Sequence, residues 1–446
     1  MKLISTFGLY FITLILFLHL DSSSVYSEPE EIDNDDKKDV SKKNGVQVYD
    51  ESIEVQSIYD GFDSPVFLGF AGTNDILVYE KQGFIKRVID DDLIEKPILK
   101  LDTQNGNEIF MKGIISKDTT KDEIVTHYIF LYYTQCDPDD DCRDLVYRYE
   151  LHDKNNVLLN PKLLFSLKTF KDSIDDQGII RLAPDNNLHL DIKKVQKISG
   201  DDDSGTLNED EDEKGKMSWT ECFIQTNLGN DFNDKLTSEN EYNGLDHGHG
   251  LSDSFGADFD PYSGELWYLE DGLDNADEIR MVLQPSDNDS LMKTDLFKQV
   301  NKNENFFCVD REYSDDIKHI EEDDISLKSL LFLHTQYLGK KNSDNLLVSS
   351  DTNQIFQFDL DRNRSDLIVP TKSQDIQASV DTKDAKQFVF AEGFNGLLDV
   401  RLNPYDGLLY VLDKNTDEED DSTGTIYRFE KKSVKFYDSP AQTNTK

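Results

Sequence analysis

His247-Gly-His249 sets two imidazoles two residues apart. On an extended chain residues i and i+2 share a face. Both rings then stand together near Ser252, as ligands for a transition metal or as a base for proton transfer. The same phrase also reads as a polar loop, because no carboxylate or cysteine partner is identified for it. Cys136 and Cys142 bracket Asp137-Pro-Asp-Asp-Asp141, a turn-forming stretch that a disulfide would staple in an oxidising space. With four cysteines in the chain, Cys222 and Cys308 are left as the second pair. Zinc is the rival for these thiols, and neither CxxC spacing nor neighbouring histidines support it.

The elements that must hold such residues are strands. From about residue 53 onward, short apolar stretches of period two alternate with turn residues, and no long stretch has helical periodicity. One phrase recurs. Phe255-Gly-Ala-Asp-Phe-Asp-Pro-Tyr-Ser-Gly-Glu-Leu-Trp-Tyr268 matches Leu397-Leu-Asp-Val-Arg-Leu-Asn-Pro-Tyr-Asp-Gly-Leu-Leu-Tyr-Val411, with a weaker copy at Gly178–Leu190. Each is a strand, a proline-led turn and a second strand, the proline fixing φ and Gly or Asn tolerating positive φ. Further hairpin-like units fall at Val66–Val88, Ile114–Glu150 and Leu330–Asp361. A recurring antiparallel unit that buries its faces only against its neighbours predicts an all-β fold, a six-bladed β-propeller.

The 446 residues carry 47 Lys and Arg against 90 Asp and Glu, a formal charge of −43. That excludes nucleic acid and anionic membrane surfaces as direct partners, since phosphate binding needs clustered cations. Hydrophobic residues make up 37% of the chain, enough for a large core. Lys2, the apolar run Phe7–Leu20 and the small residues up to Ser27 predict an export signal over residues 1–27. The apolar run is short for a span of roughly 20 residues, so the mature chain is expected to be secreted or extracytoplasmic, with no membrane span. Residues 28–52 read as an acidic linker, 53–432 as the propeller with an acidic insertion near 197–216, and 433–446 as a tail.

Several phrases together resemble the glucose/sorbosone dehydrogenase family, the soluble quinoprotein sugar dehydrogenases. They are Gly61-Phe-Asp-Ser-Pro-Val-Phe-Leu-Gly-Phe70, Leu145-Val-Tyr-Arg-Tyr-Glu-Leu151, Ser254-Phe-Gly-Ala-Asp-Phe-Asp-Pro261 and Glu270-Asp-Gly-Leu-Asp-Asn-Ala-Asp-Glu-Ile279. Phe356-Gln-Phe-Asp-Leu360, Gly393-Phe-Asn-Gly-Leu-Leu-Asp-Val400 and Gly424-Thr-Ile-Tyr-Arg428 complete the series. The resemblance implies a six-bladed propeller, calcium, pyrroloquinoline quinone (PQQ) and oxidation of a sugar hydroxyl.

Carried over residue by residue, the resemblance puts Asp175 where active relatives have the histidine base. An ordinary Asp is a weak base near neutral pH. Ser252-Asp253 stand where an Arg-Asn pair holds the cofactor, and Gly396 and Leu398 where further arginines do. Glu108 keeps an acidic cofactor position, while Ile109 and Phe110 replace the Arg and Gly beside it. Lys340 and Lys341 are the remaining nearby cations of the family phrases. PQQ carries three carboxylates, and losing oriented Arg–carboxylate pairs removes its strongest contacts. For calcium the resemblance implies the carbonyls of Gly272 and Leu273 and the side chain of Glu278, with Asp277 beside it, in a loop dense in oxygen donors. Two functions follow as expectations. One is an exported sugar-dehydrogenase-like protein, a PQQ-dependent sugar dehydrogenase if active, in which the histidine base and the cofactor-binding arginines are not retained. The other is a non-catalytic calcium-binding propeller that takes a glycan or a protein partner.

Overall fold

The structure, a computed structural model, describes residues 45–103, 106–121, 124–139, 141–170, 179–182, 188–197, 217–226, 256–271, 277–282, 306–308, 318–319, 327–368, 378–379, 386–414 and 423–432. All lie in one compact unit, Gly45–Lys446. Two strands come first, β1 (Gln47–Val48) and β2 (Ile53–Asp63). The first sheet is β3 (Pro65–Gly72), β4 (Asp75–Glu80), β5 (Phe84–Ile89) and β6 (Asp92–Lys100), and the second is β7 (Glu108–Lys121), β8 (Ile124–Cys136), β9 (Asp141–His152) and β10 (Val157–Phe170). The third begins with β11 (Ile180–Leu182), β12 (Leu188–Lys197) and β13 (Met217–Thr226), and the fourth with β14 (Gly256–Phe259), β15 (Leu266–Asp271) and β16 (Asp277–Val282). Next along the chain are β17 (Phe306–Cys308) and β18 (Lys318–His319). The fifth sheet holds β19 (Leu327–Phe332), β20 (Leu346–Ser350) and β21 (Ile355–Phe358), then come β22 (Ala378–Ser379) and β23 (Val389–Glu392). The sixth holds β24 (Leu397–Leu402), β25 (Leu409–Lys414) and β26 (Thr423–Lys431).

These six sheets are the blades of a β-propeller, as the recurring hairpins predict. Outer strands interlock the later blades. β17 returns to β13, β18 and β22 extend the fourth blade, and β23 followed by β1 completes the fifth. The ring is closed by β2, which pairs antiparallel with β26 from Ile53 opposite Lys431 to Asp63 opposite Thr423. The two chain ends of the propeller thus share one blade, which fastens the last blade of the ring to the start of the chain.

The core follows the same sixfold logic, because each apolar cluster fills one interface between successive blades. Leu77, Ile85, Leu131 and Tyr133 join the first two blades, and Phe130, Phe165, Ile180 and Leu190 the second and third. Ile179, Ala257 and Tyr268 join the third and fourth, and Trp267, Leu269, Phe332 and Phe356 the fourth and fifth. Leu331, Phe390, Val411 and Phe429 join the fifth and sixth. Leu68, Val78, Tyr410 and Ile426 bring the sixth back to the first. Each fully buried large apolar side chain contributes about 1.5–3 kcal/mol, so the ring stands or falls as a unit.

The innermost strands β3, β7, β11, β14, β19 and β24 approach very closely. A Cβ on Gly113 would lie 2.5 Å from Ile180 Cγ2, and one on Gly256 would lie 2.9 Å from the Leu330 amide nitrogen. Only glycine fits at those crossings. The hairpins of the fourth and sixth blades turn alike. Tyr262 N donates to Asp260 Oδ1 and Tyr405 N to Asn403 Oδ1, each at 2.9 Å, and Gly264 and Gly407 return at positive φ. The residue ahead of each proline is therefore an Asx cap, fully buried.

A charged hub as the candidate functional site

Arg181, Asp258 and Arg401 each sit three residues ahead of a turn proline (Pro184, Pro261, Pro404), on β11, β14 and β24. The repeated hairpin therefore delivers them to equivalent places on three inner strands. Blades three and six face each other across a ring of six, yet Arg401 acts electrostatically on Arg181. Both stand on inner strands, within range of each other's charge. Arg181, Asp258 and Arg401 keep 14%, 25% and 16% of their side-chain surface accessible although they lie on the innermost strands, as groups facing solvent along an axial channel would.

Two carboxylates organise the guanidinium groups. Asp399 is buried, accepts the Leu68 amide at 3.0 Å on Oδ2, and accepts Arg401 Nε at 2.8 Å on Oδ1. Asp258 accepts the Phe332 amide at 2.9 Å on Oδ2 and the Phe259 amide at 3.0 Å on Oδ1, with Arg181 Nε 3.8 Å away. Each carboxylate stitches its own inner strand to that of the next blade, and so is held in place by backbone as well as by charge. Desolvation pushes the Asp258 carboxyl up from its ordinary value, against the pull of Arg181, the two amides and Arg401. Desolvation first, and Arg401 second, hold Arg181 down to about 10, opposed by Asp258 and Asp399. It stays protonated at neutral pH. Among the described residues, these two guanidinium groups stand against two carboxylates.

The start of β24, where the family resemblance places arginines, is built differently. Asn395 N and Gly396 N donate to the Asp413 carboxylate at 3.0 and 2.8 Å. Burial pushes Asp413 up despite those amides. Leu398 is 37% exposed, and Gly396 lies against the Lys414 side chain. Lys341 is an exposed surface residue of the β19–β20 loop, 3.9 Å from Asp50. Glu108 opens β7, exposed, opposite Cys136.

Cys136 and Cys142 form a disulfide across a gap of 6 residues. Cys222 on β13 lies directly opposite Cys308 on β17 in register. Asp277 pairs with Asp271, and Glu278 with both Glu270 and His319, along β16, so β15 and β16 pair antiparallel on either side of residues 272–276. Asp175, His247, His249, Ser252, Asp253, Gly272 and Leu273 lie outside the described residues. Among the described residues no group of three or more His, Cys, Asp or Glu is placed to hold a metal, and no helix is long and apolar enough to cross a membrane.

Sequence reading did not single out Arg181 and Arg401, which stand on inner strands at positions the family motifs do not mark. Their shared offset from the turn proline in the repeated phrase was the available signal.

Fold and hub together define a six-bladed propeller built around an axial cluster of paired charges. The chain belongs to the glucose/sorbosone dehydrogenase family, whose family model matches residues 62–288. It is similar to the soluble aldose sugar dehydrogenase of Escherichia coli, solved in the apo form, at 14% identity over 85% of this chain and 100% of that one, with a TM-score of 0.48. A glucose dehydrogenase-like oxidoreductase from Thermus thermophilus matches at 16% identity over 84% and 99%, TM-score 0.49. The PQQ domain of Coprinopsis cinerea pyranose dehydrogenase, in its holo form, matches at 13% identity over 86% and 97%, TM-score 0.46. Comparison with curated protein sequences finds no match.

Proposed function

We propose that this chain is an exported member of its family that binds a small-molecule sugar or glycan, keeps calcium at the Gly272–Glu278 loop, and does not seat PQQ in the family's pose. The observation that carries the reading is the cofactor end of the last blade, where Gly396 and Leu398 stand in place of arginines and the Asn395 and Gly396 amides hold the buried Asp413 carboxylate. A group with three carboxylates needs several uncompensated cations in a desolvated pocket, and the described residues at this end of the blade offer none. Asp175, Ser252-Asp253, Gly396 and Leu398 support the same conclusion at the cofactor positions. The residues therefore do not fit the quinone, and no redox step is assigned to it. Export is supported by the Cys136–Cys142 disulfide, which persists in an oxidising compartment.

The test is reconstitution of the purified chain with calcium and PQQ, followed by absorbance of the bound quinone and dye-linked turnover on a panel of aldoses. The expected result is a calcium-dependent rise in melting temperature with no stoichiometric quinone uptake. Quinone uptake with sugar turnover would overturn the reading.

A further inference from the structure

We propose that Arg181 and Arg401 form a small anion site inside the propeller hub that takes a single carboxylate. The site is separate from the family's cofactor positions. Gly396 and Leu398 stand at the start of β24, whereas Arg401 stands near its far end. From Leu398 to Arg401 the extended chain advances about 10 Å, at roughly 3.3 Å per residue. Arg181 occupies the equivalent place on β11, two residues into a strand that begins after Asp175 and ends at Leu182.

The donor count points to a ligand. A guanidinium offers five N–H donors in a planar fork. Arg401 uses Nε on Asp399 Oδ1, and neither of its Nη atoms meets an acceptor among the described residues. Arg181 uses Nη1 on its neighbour's Ile180 carbonyl at 3.0 Å, and its Nη2 likewise meets no acceptor among the described residues. The nearby carboxylates are largely spent, since Oδ2 of Asp258 and Oδ2 of Asp399 are each held by a neighbouring strand's amide. Three guanidinium nitrogens thus remain without an acceptor among the described residues, on inner strands of opposite blades, and the charge of one arginine acts on the other. A planar carboxylate between them supplies two oxygens to the forks and screens the repulsion.

One anion is the capacity, not three. Asp399, Asp258, Arg181 and Arg401 sum to zero, so one bound carboxylate leaves a single negative charge. Asp258, acted on by both guanidinium groups and accepting the Phe259 and Phe332 amides, can cancel it by taking up a proton. This inference is independent of whether a sugar binds elsewhere on the propeller.

The test is calorimetric titration of the purified full chain with sodium acetate, sodium gluconate and sodium phosphate at matched ionic strength, with glucose as the uncharged control. Acetate and gluconate are expected to bind, glucose not to compete with them, and Arg401→Gln and Arg181→Gln each to weaken the carboxylates at least tenfold with an unchanged far-ultraviolet spectrum. Arg401→Lys keeps the charge without the fork, and is expected to weaken binding less than Arg401→Gln. Should the glutamine variants fail to fold, the wild-type melting temperature decides instead, rising with acetate and not with equal sodium chloride. No carboxylate binding by the wild type, unchanged affinity in the folded variants, or binding of phosphate without acetate would each overturn the proposal. Quinone uptake is read separately, so this site and the proposed function fail or stand apart.

Discussion

Asp399 on the innermost strand of the last blade accepts the amide of Leu68 on the innermost strand of the first, at 3.0 Å. The two residues are 331 positions apart in the chain. One buried carboxylate thus locks the propeller at its seam while also gripping Arg401.

Asp399→Ala removes both partners' contacts at once, leaving a buried amide unpaired and a guanidinium without its counterion. The expected loss of unfolding free energy is about 3 kcal/mol. Asp399→Asn keeps an acceptor for Leu68 and is expected to lose clearly less. Urea denaturation of the two variants measures the difference, and equal losses would refute the seam role.

The glycine crossings make a second prediction. Gly113→Ala drives a Cβ into Ile180 Cγ2 and is expected to cost about 1–3 kcal/mol. Ile180→Leu removes the branch at Cβ and should recover part of that loss in the double variant. Gly256→Ala meets the Leu330 and Ser329 backbone instead, so side-chain changes at those two residues should not rescue it. Thermal denaturation of the single and double variants tests this coupling.

Asp258 gives the pH dependence. Its carboxyl is raised from 3.8 by burial, so the native state holds the proton to higher pH than the unfolded chain does. Its contribution to stability is complete below about 3.8 and is lost as pH rises through the native value. Asp258→Asn does not titrate. The stability difference between variant and wild type should therefore shift in the variant's favour as pH rises from about 4 to about 8. Denaturant melts across that range check the sign, and a flat difference contradicts it.

The cysteines are expected to form two bridges. Cys222 opposite Cys308 is the geometry a second disulfide needs, so the denatured protein should show no free thiol before reduction and four after. Cys136–Cys142 closes a loop of 6 residues, and chain entropy assigns it about 2 kcal/mol. The far longer loop between Cys222 and Cys308 is assigned about 4–5 kcal/mol. Cys308→Ser should therefore lower the melting temperature more than Cys142→Ser, and detection of a free thiol pair in the wild type would count against the second bridge.

The sequence by itself determined the repeating hairpin, because a two-residue alternation and a proline-led turn are local properties. It gave the blade count through the copies at Gly178–Leu190, Phe255–Tyr268 and Leu397–Val411 together with three further hairpin-like units, and it pointed to the Cys136–Cys142 staple through a short turn. The family phrases were legible for the same reason, being contiguous. What only the tertiary structure decided is which strands complete which blade. β17 returns to the third sheet and β2 to the sixth across long stretches of chain, and no local signal encodes such pairings. The hub was likewise hidden. Arg181, Asp258, Asp399 and Arg401 come from three blades, and only ring closure brings their charges within reach of one another. Coulombic attraction acts through space, whereas sequence order records only distance along the chain.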